Sequence, residues 1–213
     1  AGQPLRASNG QDNGVRLLDL NADGFLDVCI GNENMKKTRV WLPQQRRWQE
    51  SAFPTQLVHV DENGNRTDAG VRFGILRNDG KVSMLVRNEQ IDASYFFDRT
   101  KWVKDNCLLR GLEFDGERML TATRGRDMGV RLRDVDADGR CELLIGNPRH
   151  NRVWKWQVQD DSWQRCKFSL PESTMIVDGQ GRDAGLRFVD VNEDGHDDVL
   201  FGNEAHTSLS LFD

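Results

Sequence analysis

The chain has 213 residues, of which 37% are hydrophobic and 30% are charged, a balance typical of one soluble globular domain or two small ones. Its formal charge of −5 argues against a nucleic-acid-binding protein that depends on bulk electrostatic attraction. The mean hydropathy is −0.67 and no run of apolar residues is long enough for a membrane-spanning helix, so we expect no membrane insertion.

A pattern of 21 residues occurs four times along the chain, beginning at residues 12, 68, 127 and 183. Each copy opens with Asp-x-Gly, an aliphatic residue and Arg, has Asp-Gly in its middle, and ends with Asn. The four copies read DNGVRLLDLNADGFLDVCIGN, DAGVRFGILRNDGKVSMLVRN, DMGVRLRDVDADGRCELLIGN and DAGLRFVDVNEDGHDDVLFGN. Repetition at an interval of 56 to 59 residues indicates a fold assembled from repeated units.

Each unit contains short apolar or alternating segments of strand length. The first precedes the Asp-Gly turn, the second follows it, and a third, aromatic segment comes next. In the first three units a fourth segment begins near Trp48, Trp102 or Trp163, and we align Trp41 with Trp154 in the third segment. Four short strands in about 56 residues are typical of a propeller blade, so the sequence predicts an all-β fold.

The predicted fold is a single β-propeller domain over residues 1–213 with about four blades. Residues 183–213 supply only part of a fourth unit, and residues 1–11 add a short leading piece. Two alternatives therefore stay open. Either a ring of four blades closes with a three-stranded fourth blade, or the chain is part of a larger propeller.

Three of the four Asp-Gly turns carry oxygen-bearing side chains at loop positions 1, 3, 5 and 9, with Gly at position 6. Such side chains can converge on one hard cation, and position 7 can add its backbone carbonyl. Because carboxylate-rich oxygen sites favour calcium over zinc or copper, the sequence predicts about three Ca²⁺ ions. The predicted ligands are Asp19, Asn21, Asp23, Phe25 and Asp27 in unit one, Asp134, Asp136, Asp138, Arg140 and Glu142 in unit three, and Asp190, Asn192, Asp194, His196 and Asp198 in unit four.

The second unit departs from this pattern. Its side chains at positions 1, 3, 5 and 9 are Ile75, Arg77, Asp79 and Ser83, which leave a single carboxylate beside a positive charge. We therefore predict no metal in this turn, and we expect a contact between Arg77 and Asp79 to hold it instead.

These units resemble the FG-GAP or VCBS repeat family, whose calcium-loop blades build propellers of the integrin-α type. The resemblance covers residues 12–213 and rests on the Asp-x-Asp/Asn-x-Asp-Gly-x-x-Asp/Glu loop and on the Gly-Asn that ends the second segment. The stretch RDAGLRFVDVNEDGHDDVLFGNE is also similar to a propeller segment of large exported bacterial proteins that carry c-type haem domains. The resemblance implies structural calcium and loops that bind a glycan or a protein, or that dock onto neighbouring domains of a larger chain.

Two further sets of side chains are candidates for ligand contact. At the start of each unit an Arg follows an Asp by four residues, and the pair forms either a salt bridge or part of an arginine ring that attracts an anionic ligand. The four arginines are Arg16, Arg72, Arg131 and Arg187. His150 and His206, each three residues after the recurrent Asn, form the second set.

The sequence favours a calcium-stabilised, non-catalytic module that binds a glycan or protein, or that docks other domains. The alternative is a propeller enzyme that acts on polysaccharide, a lyase or hydrolase, although we assign no catalytic residue because the common nucleophile and metallohydrolase motifs are missing. A self-assembling set of blades is a third possibility. Calcium loops of modest affinity need more calcium than the cytosol holds, so we expect an extracellular or periplasmic protein.

Overall fold

The computed structural model describes residues 3–114 and 116–212. In that part of the chain the regular structure is β-strand, apart from one short 3₁₀ helix at Asn106–Leu109, so the predicted all-β class is confirmed. No helix among these residues is long and apolar enough to cross a bilayer.

The strands follow the repeats in chain order. Unit one contains β1 (Val15–Leu18), β2 (Asp27–Gly31), β3 (Lys36–Leu42) and β4 (Arg47–Ala52), and a ribbon of β5 (Val58–Val60) and β6 (Arg66–Asp68) follows it. Unit two contains β7 (Val71–Ile75), β8 (Val82–Arg87), β9 (Asp92–Phe97) and β10 (Trp102–Lys104). Two ribbons come next, formed by β11 (Glu113–Phe114) with β12 (Glu117–Arg118) and by β13 (Ala122–Thr123) with β14 (Arg126–Asp127). Unit three contains β15 (Val130–Arg133), β16 (Glu142–Asn147), β17 (His150–Gln157) and β18 (Ser162–Arg165), and unit four contains β19 (Leu186–Val189), β20 (Asp198–Gly202) and β21 (Thr207–Ser210).

Each unit is an antiparallel sheet in which every strand pairs with the next one along the chain. The first two strands have the same register in all units, so that Val15 faces Ile30 in unit one and Val130 faces Ile145 in unit three. The Asp-Gly turn therefore always closes the same hairpin, and the predicted metal loops occupy equivalent places.

A small hairpin or isolated bridge leads into each unit and ends at its first Asp. The two ribbons that end at Asp68 and Asp127 have counterparts in the bridges Arg6–Asp12 and Val177–Asp183. The Gly two residues later adopts a positive φ, and a Cβ placed on Gly129 would lie only 2.4 Å from a backbone oxygen. The Asp-x-Gly pattern is thus required by the backbone at this crowded entrance.

Hydrophobic clusters lie between consecutive sheets. One joins units one and two through residues such as Leu20, Cys29 and Met84, and others join units two and three. A further cluster that includes Leu144 and Phe201 joins units three and four. The fourth sheet has three strands, and none of these clusters, within the residues described, joins it back to unit one.

A pair of aromatic rings closes the outer hairpin of the first three units. The rings meet in tilted or edge-to-face contact, with centroids 5.1 Å apart for Trp41 and Trp48, 5.3 Å for Phe97 and Trp102, and 5.3 Å for Trp156 and Trp163. The predicted alignment of Trp41 with Trp154 was therefore wrong by two residues. Trp41 and Trp156 each stand nine residues after the recurrent Asn, and strand register follows that turn.

Candidate metal centres

The three predicted metal loops share one backbone conformation. Position 4 and the Gly at position 6 both have positive φ, as at Ala22 and Gly24. The position-1 carboxylate accepts the N–H groups of positions 5 and 6, at 3.1 and 2.8 Å for Asp19. The corresponding bonds to Asp134 and Asp190 differ from these by no more than 0.1 Å. The spacing of the residues thus produces the same loop three times.

The third loop brings three carboxylates together. Asp134, Asp136 and Asp138 each present one oxygen within 4.8 Å of the others. Because Ca²⁺ binds oxygen at 2.3–2.6 Å, ligands on opposite sides of one ion stand about 4.6–5.2 Å apart. The donor set and its separation therefore fit a calcium ion.

The carboxylates at position 9 are fully buried and serve the backbone as well. Asp27 accepts the N–H of Leu20 at 3.0 Å and that of Trp41, on β3, at 2.8 Å. Asp198 makes the equivalent bonds to Val191 and Phe212. Asp27 thus fastens its loop to the third strand and Asp198 fastens its loop to the segment just after β21, a role that spacing alone did not predict. Burial raises the pKa of Asp27, and a nearby cation would offset that cost.

In each of the three predicted metal loops, a side-chain hydrogen-bond donor contacts the position-5 carboxylate. In units one and four it is the side-chain amide of Asn21 or Asn192, at 3.0 and 2.7 Å. In unit three it is the ammonium group of Lys155, which lies 2.5 Å from Asp136, 2.8 Å from Asp138 and 3.0 Å from Glu142. These contacts make Lys155 an internal cation of the third loop.

Sequence reasoning missed Lys155 because it stands on β17, thirteen residues beyond Glu142. Burial by itself would lower its pKa, but the three carboxylates around it raise the pKa above the usual value. The ammonium group is therefore a fixed positive charge. At the equivalent places, eight residues after the recurrent Asn, unit one has Val40 and unit four has Leu211.

The residues at position 7 also contact the loop. The backbone N–H groups of Phe25, Arg140 and His196 donate to the position-5 carboxylate at 2.8 to 3.0 Å. The Arg140 guanidinium adds an ion pair with Asp138 at 2.9 Å. Calcium ligation by the three carbonyl oxygens stays a prediction.

Residues 134–201 match the family model of the FG-GAP-like repeat. This segment is similar to FG-GAP-like repeats. The match begins at the first predicted ligand of unit three and ends within β20 of unit four, so the resemblance inferred from the sequence is confirmed there.

No curated protein matches the chain. Among solved structures, the chain is similar to the crystal structure of the V. cholerae biofilm matrix protein Bap1, with 18% sequence identity and a TM-score of 0.28. The similarity covers 87% of this chain and 27% of that one, so the chain spans about a quarter of the length of that protein.

The turn of unit two differs from the three predicted metal loops, and the predicted contact between Arg77 and Asp79 was wrong. Arg77 bonds Asp105 at 2.5 Å and the sulfur of Cys107 at 2.8 Å, while Asp79 pairs with Lys81 at 3.1 Å. The long guanidinium arm reaches the start of the 3₁₀ helix instead of folding back on its own turn. Ile75 contributes a backbone oxygen to unit three, 2.6 Å from the N–H of Cys141.

The four arginines each form a two-bonded salt bridge with the Asp four residues earlier, at 2.6 to 2.8 Å for the shortest contact. Arg72 also reaches the next unit, where it bonds Asp127 at 2.9 Å and the carbonyl of Val130 at 2.7 Å. The structure places Arg16, Arg72 and Arg131 along one pocket and Arg131 and Arg187 along another. The arginines thus form a row of neighbours in which each is already paired with a carboxylate.

The recurrent Asn and the two histidines lie on the turn after the second strand. Asn147 accepts the N–H of His150 at 3.0 Å, and Asn203 accepts that of His206 at 3.1 Å. His150 lines a pocket with Arg118 and Met119, whereas the ring of His206 lies 4.9 Å from that of Phe201. The histidines have equivalent places in successive units but different surroundings.

Proposed function

We propose that this chain is a calcium-stabilised β-propeller segment that acts as a non-catalytic binding or docking module of an exported protein. The observation that carries the proposal is the convergence of Asp134, Asp136 and Asp138 in a loop conformation that units one and four repeat. The match of residues 134–201 to the FG-GAP-like repeat supports it, because unit one, which lies outside that segment, carries the same loop pattern.

The oxygen-bearing side chains at positions 1, 3 and 5 would hold the ion in each loop. Bound calcium supplies positive charge that screens the repulsion between these carboxylates. The position-9 carboxylates connect the loop to the third strand, as Asp27 does through Trp41. The ion therefore stiffens the sheet as well as the turn. At a hundredfold excess over the dissociation constant, each site that binds only the native state adds about 2.7 kcal/mol of stability.

The three loops should differ in affinity. In unit three, calcium has to displace the ammonium group of Lys155 from Asp136 and Asp138, whereas units one and four have an uncharged amide in that place. We therefore rank the third loop as the weakest of the three sites at equal calcium concentration.

The ligand is a glycan, a protein or a neighbouring domain of a larger chain. The arginine row and the turns that carry His150 and His206 are the surfaces proposed for it. An anionic ligand would have to share each guanidinium with its own Asp, as at Arg131 and Asp127, which favours ligands with weakly charged groups. Since calcium loops of modest affinity fill only in calcium-rich surroundings, the proposed location is extracellular or periplasmic.

A thermal melt in calcium and in excess chelator tests the proposal. We expect calcium to raise the melting temperature and Asp23→Asn to reduce that gain, because Asp23 holds position 5 of a predicted site. Asp79→Asn is the matched control, since Asp79 has the same position in the unit without a predicted metal. A melting temperature that calcium leaves unchanged, or equal effects of the two substitutions, would contradict the proposal. A glycan array in millimolar calcium then separates sugar binding from protein docking.

A further inference from the structure

The outer face of unit four carries an exposed aliphatic surface. Leu200 and Leu209 face each other across β20 and β21, and Val189 and Leu211 extend the same face by the two-residue period of a strand. Val191 lies on the adjoining loop. All five are exposed, and Leu200 has 44% of its surface accessible. We call these five residues the unit-four face.

Three of these five positions, those of Leu200, Val191 and Leu209, are buried in all the other units. The counterparts of Leu200, two residues after position 9, are Cys29, Leu85 and Leu144, and each is at most 1% exposed. The next sheet covers them in each case. The counterparts of Val191 and Leu209 are also buried, namely Leu20, Leu76 and Val135 for the first and Thr38, Ser94 and Val153 for the second. The unit-four face therefore has the composition of a face that another sheet covers.

Unit one leaves the opposite kind of face open. Leu17 and Leu26 are about half exposed there, and Leu17 faces Val28 across the first hairpin. Their counterparts in unit two, Phe73 and Val82, belong to the cluster that packs against unit one. At each junction between units, a face equivalent to the unit-four face therefore packs against a face equivalent to the one that Leu17 and Leu26 form in unit one. We call the surface formed by Leu17, Leu26 and Val28 the unit-one face.

We propose that the unit-four face of one molecule packs against the unit-one face of a second copy of this chain, head to tail. The packing repeats the three junctions already present within the chain. Such a contact is heterologous, so it either closes into a ring or continues as a chain of molecules. An aliphatic surface of this kind is also typical of a site of protein contact.

The contact should be weak and dependent on concentration. Arg39 and Glu50 continue the cross-strand row of Leu17 and Val28, so part of the unit-one face is polar. Glu50 is held by both Arg39, at 2.9 Å, and Lys37, at 2.6 Å. Covering this ion-pair cluster removes water from charged groups, which offsets part of the gain from the aliphatic surface.

Sedimentation equilibrium over a wide range of protein concentration tests the proposal. We expect the wild-type chain to associate and Leu200→Glu or Leu17→Glu each to be monomeric. An equimolar mixture of the two variants should form dimers, because each supplies the face that the other has lost. Val60→Glu, a change at an exposed aliphatic residue on β5, is the control and should leave association unchanged.

Other outcomes would overturn the proposal. A wild-type chain that is monomeric at every concentration would assign the unit-four face to a different occupant, such as a further repeat or the chain's own unit one. Association that Leu200→Glu abolishes but Leu17→Glu preserves would indicate contact between two unit-four faces. Val191 and Leu26 lie within metal loops but are not among the predicted ligands, so a monomeric chain whose melting temperature still responds to calcium would overturn this inference alone.

Discussion

Replacing Asp127 by Asn should destabilise the protein far more than the same change at Asp183, although the two residues open successive repeats. The Asp127 carboxylate is 19% exposed and bonds Arg131 at 2.7 Å, Arg72 at 2.9 Å and the N–H of Gly129 at 2.8 Å. The Asp183 carboxylate is 61% exposed and bonds Arg187 and a backbone N–H. Removing the charge of this mostly buried carboxylate costs about 1.5–3 kcal/mol, because Arg72 keeps Asp68 as a counter-ion at 2.6 Å but loses its second carboxylate. An exposed pair contributes less than about 1 kcal/mol, which is the loss expected for Asp183→Asn.

The effect of Asp127→Asn should depend on pH. Burial by itself raises the pKa of Asp127, but Arg72 and Arg131 outweigh it and hold the pKa below the ordinary value of 3.8. A carboxyl group with a lowered native pKa stabilises the fold fully above its unfolded pKa, and it loses that contribution as the pH falls through the native pKa. The difference in unfolding free energy between wild type and Asp127→Asn should therefore be constant near neutral pH and shrink below about pH 4.

Urea unfolding at several pH values, with free energies extrapolated to water, measures both quantities. Asp183→Asn provides the matched control at every pH. Equal losses for the two variants at neutral pH would refute the argument that burial and Arg72 set the magnitude. If the loss of unfolding free energy in Asp127→Asn persisted undiminished at acid pH, the ionised carboxylate of Asp127 would not be its cause.

Four further substitutions test particular contacts. Lys155→Val should lower the melting temperature in chelator, because three carboxylates lose their cation, and should enlarge the gain from added calcium; an unchanged gain would show that Lys155 does not compete with the ion. Gly139→Ala should lower the free energy of unfolding in urea by about 1–2 kcal/mol, because of its positive φ alone. Gly129→Ala should lower it clearly more, because its Cβ would also lie 2.4 Å from a backbone oxygen. Similar losses for the two variants would contradict the crowding at Gly129. Trp102→Phe removes the indole bond to Thr38 at 2.9 Å, which links units two and one, and should cost about 1 kcal/mol by the same measurement; a neutral effect would mean that the bond adds nothing to the junction.

The residues by themselves determined the repeats, the strands and the loops, because these depend on contacts within a few residues. The hydrogen bonds of Asp19 to positions 5 and 6, the salt bridge of Arg16 to Asp12 and the bonds that the side-chain oxygen of the recurrent Asn accepts all join near neighbours. Their geometry follows from spacing, so the same spacing produced the same local structure in each unit.

Only the tertiary structure decided which distant groups meet. The ammonium group of Lys155 enters the third loop, and the guanidinium of Arg77 reaches Asp105. Trp41 is the structural counterpart of Trp156, not of the Trp two residues earlier. These contacts depend on strand register and on the reach of long side chains across neighbouring strands, which a repeated loop does not encode. The exposed state of Leu200 likewise depends on whether another sheet covers it, because the residue type is the same kind that lies buried in the other units.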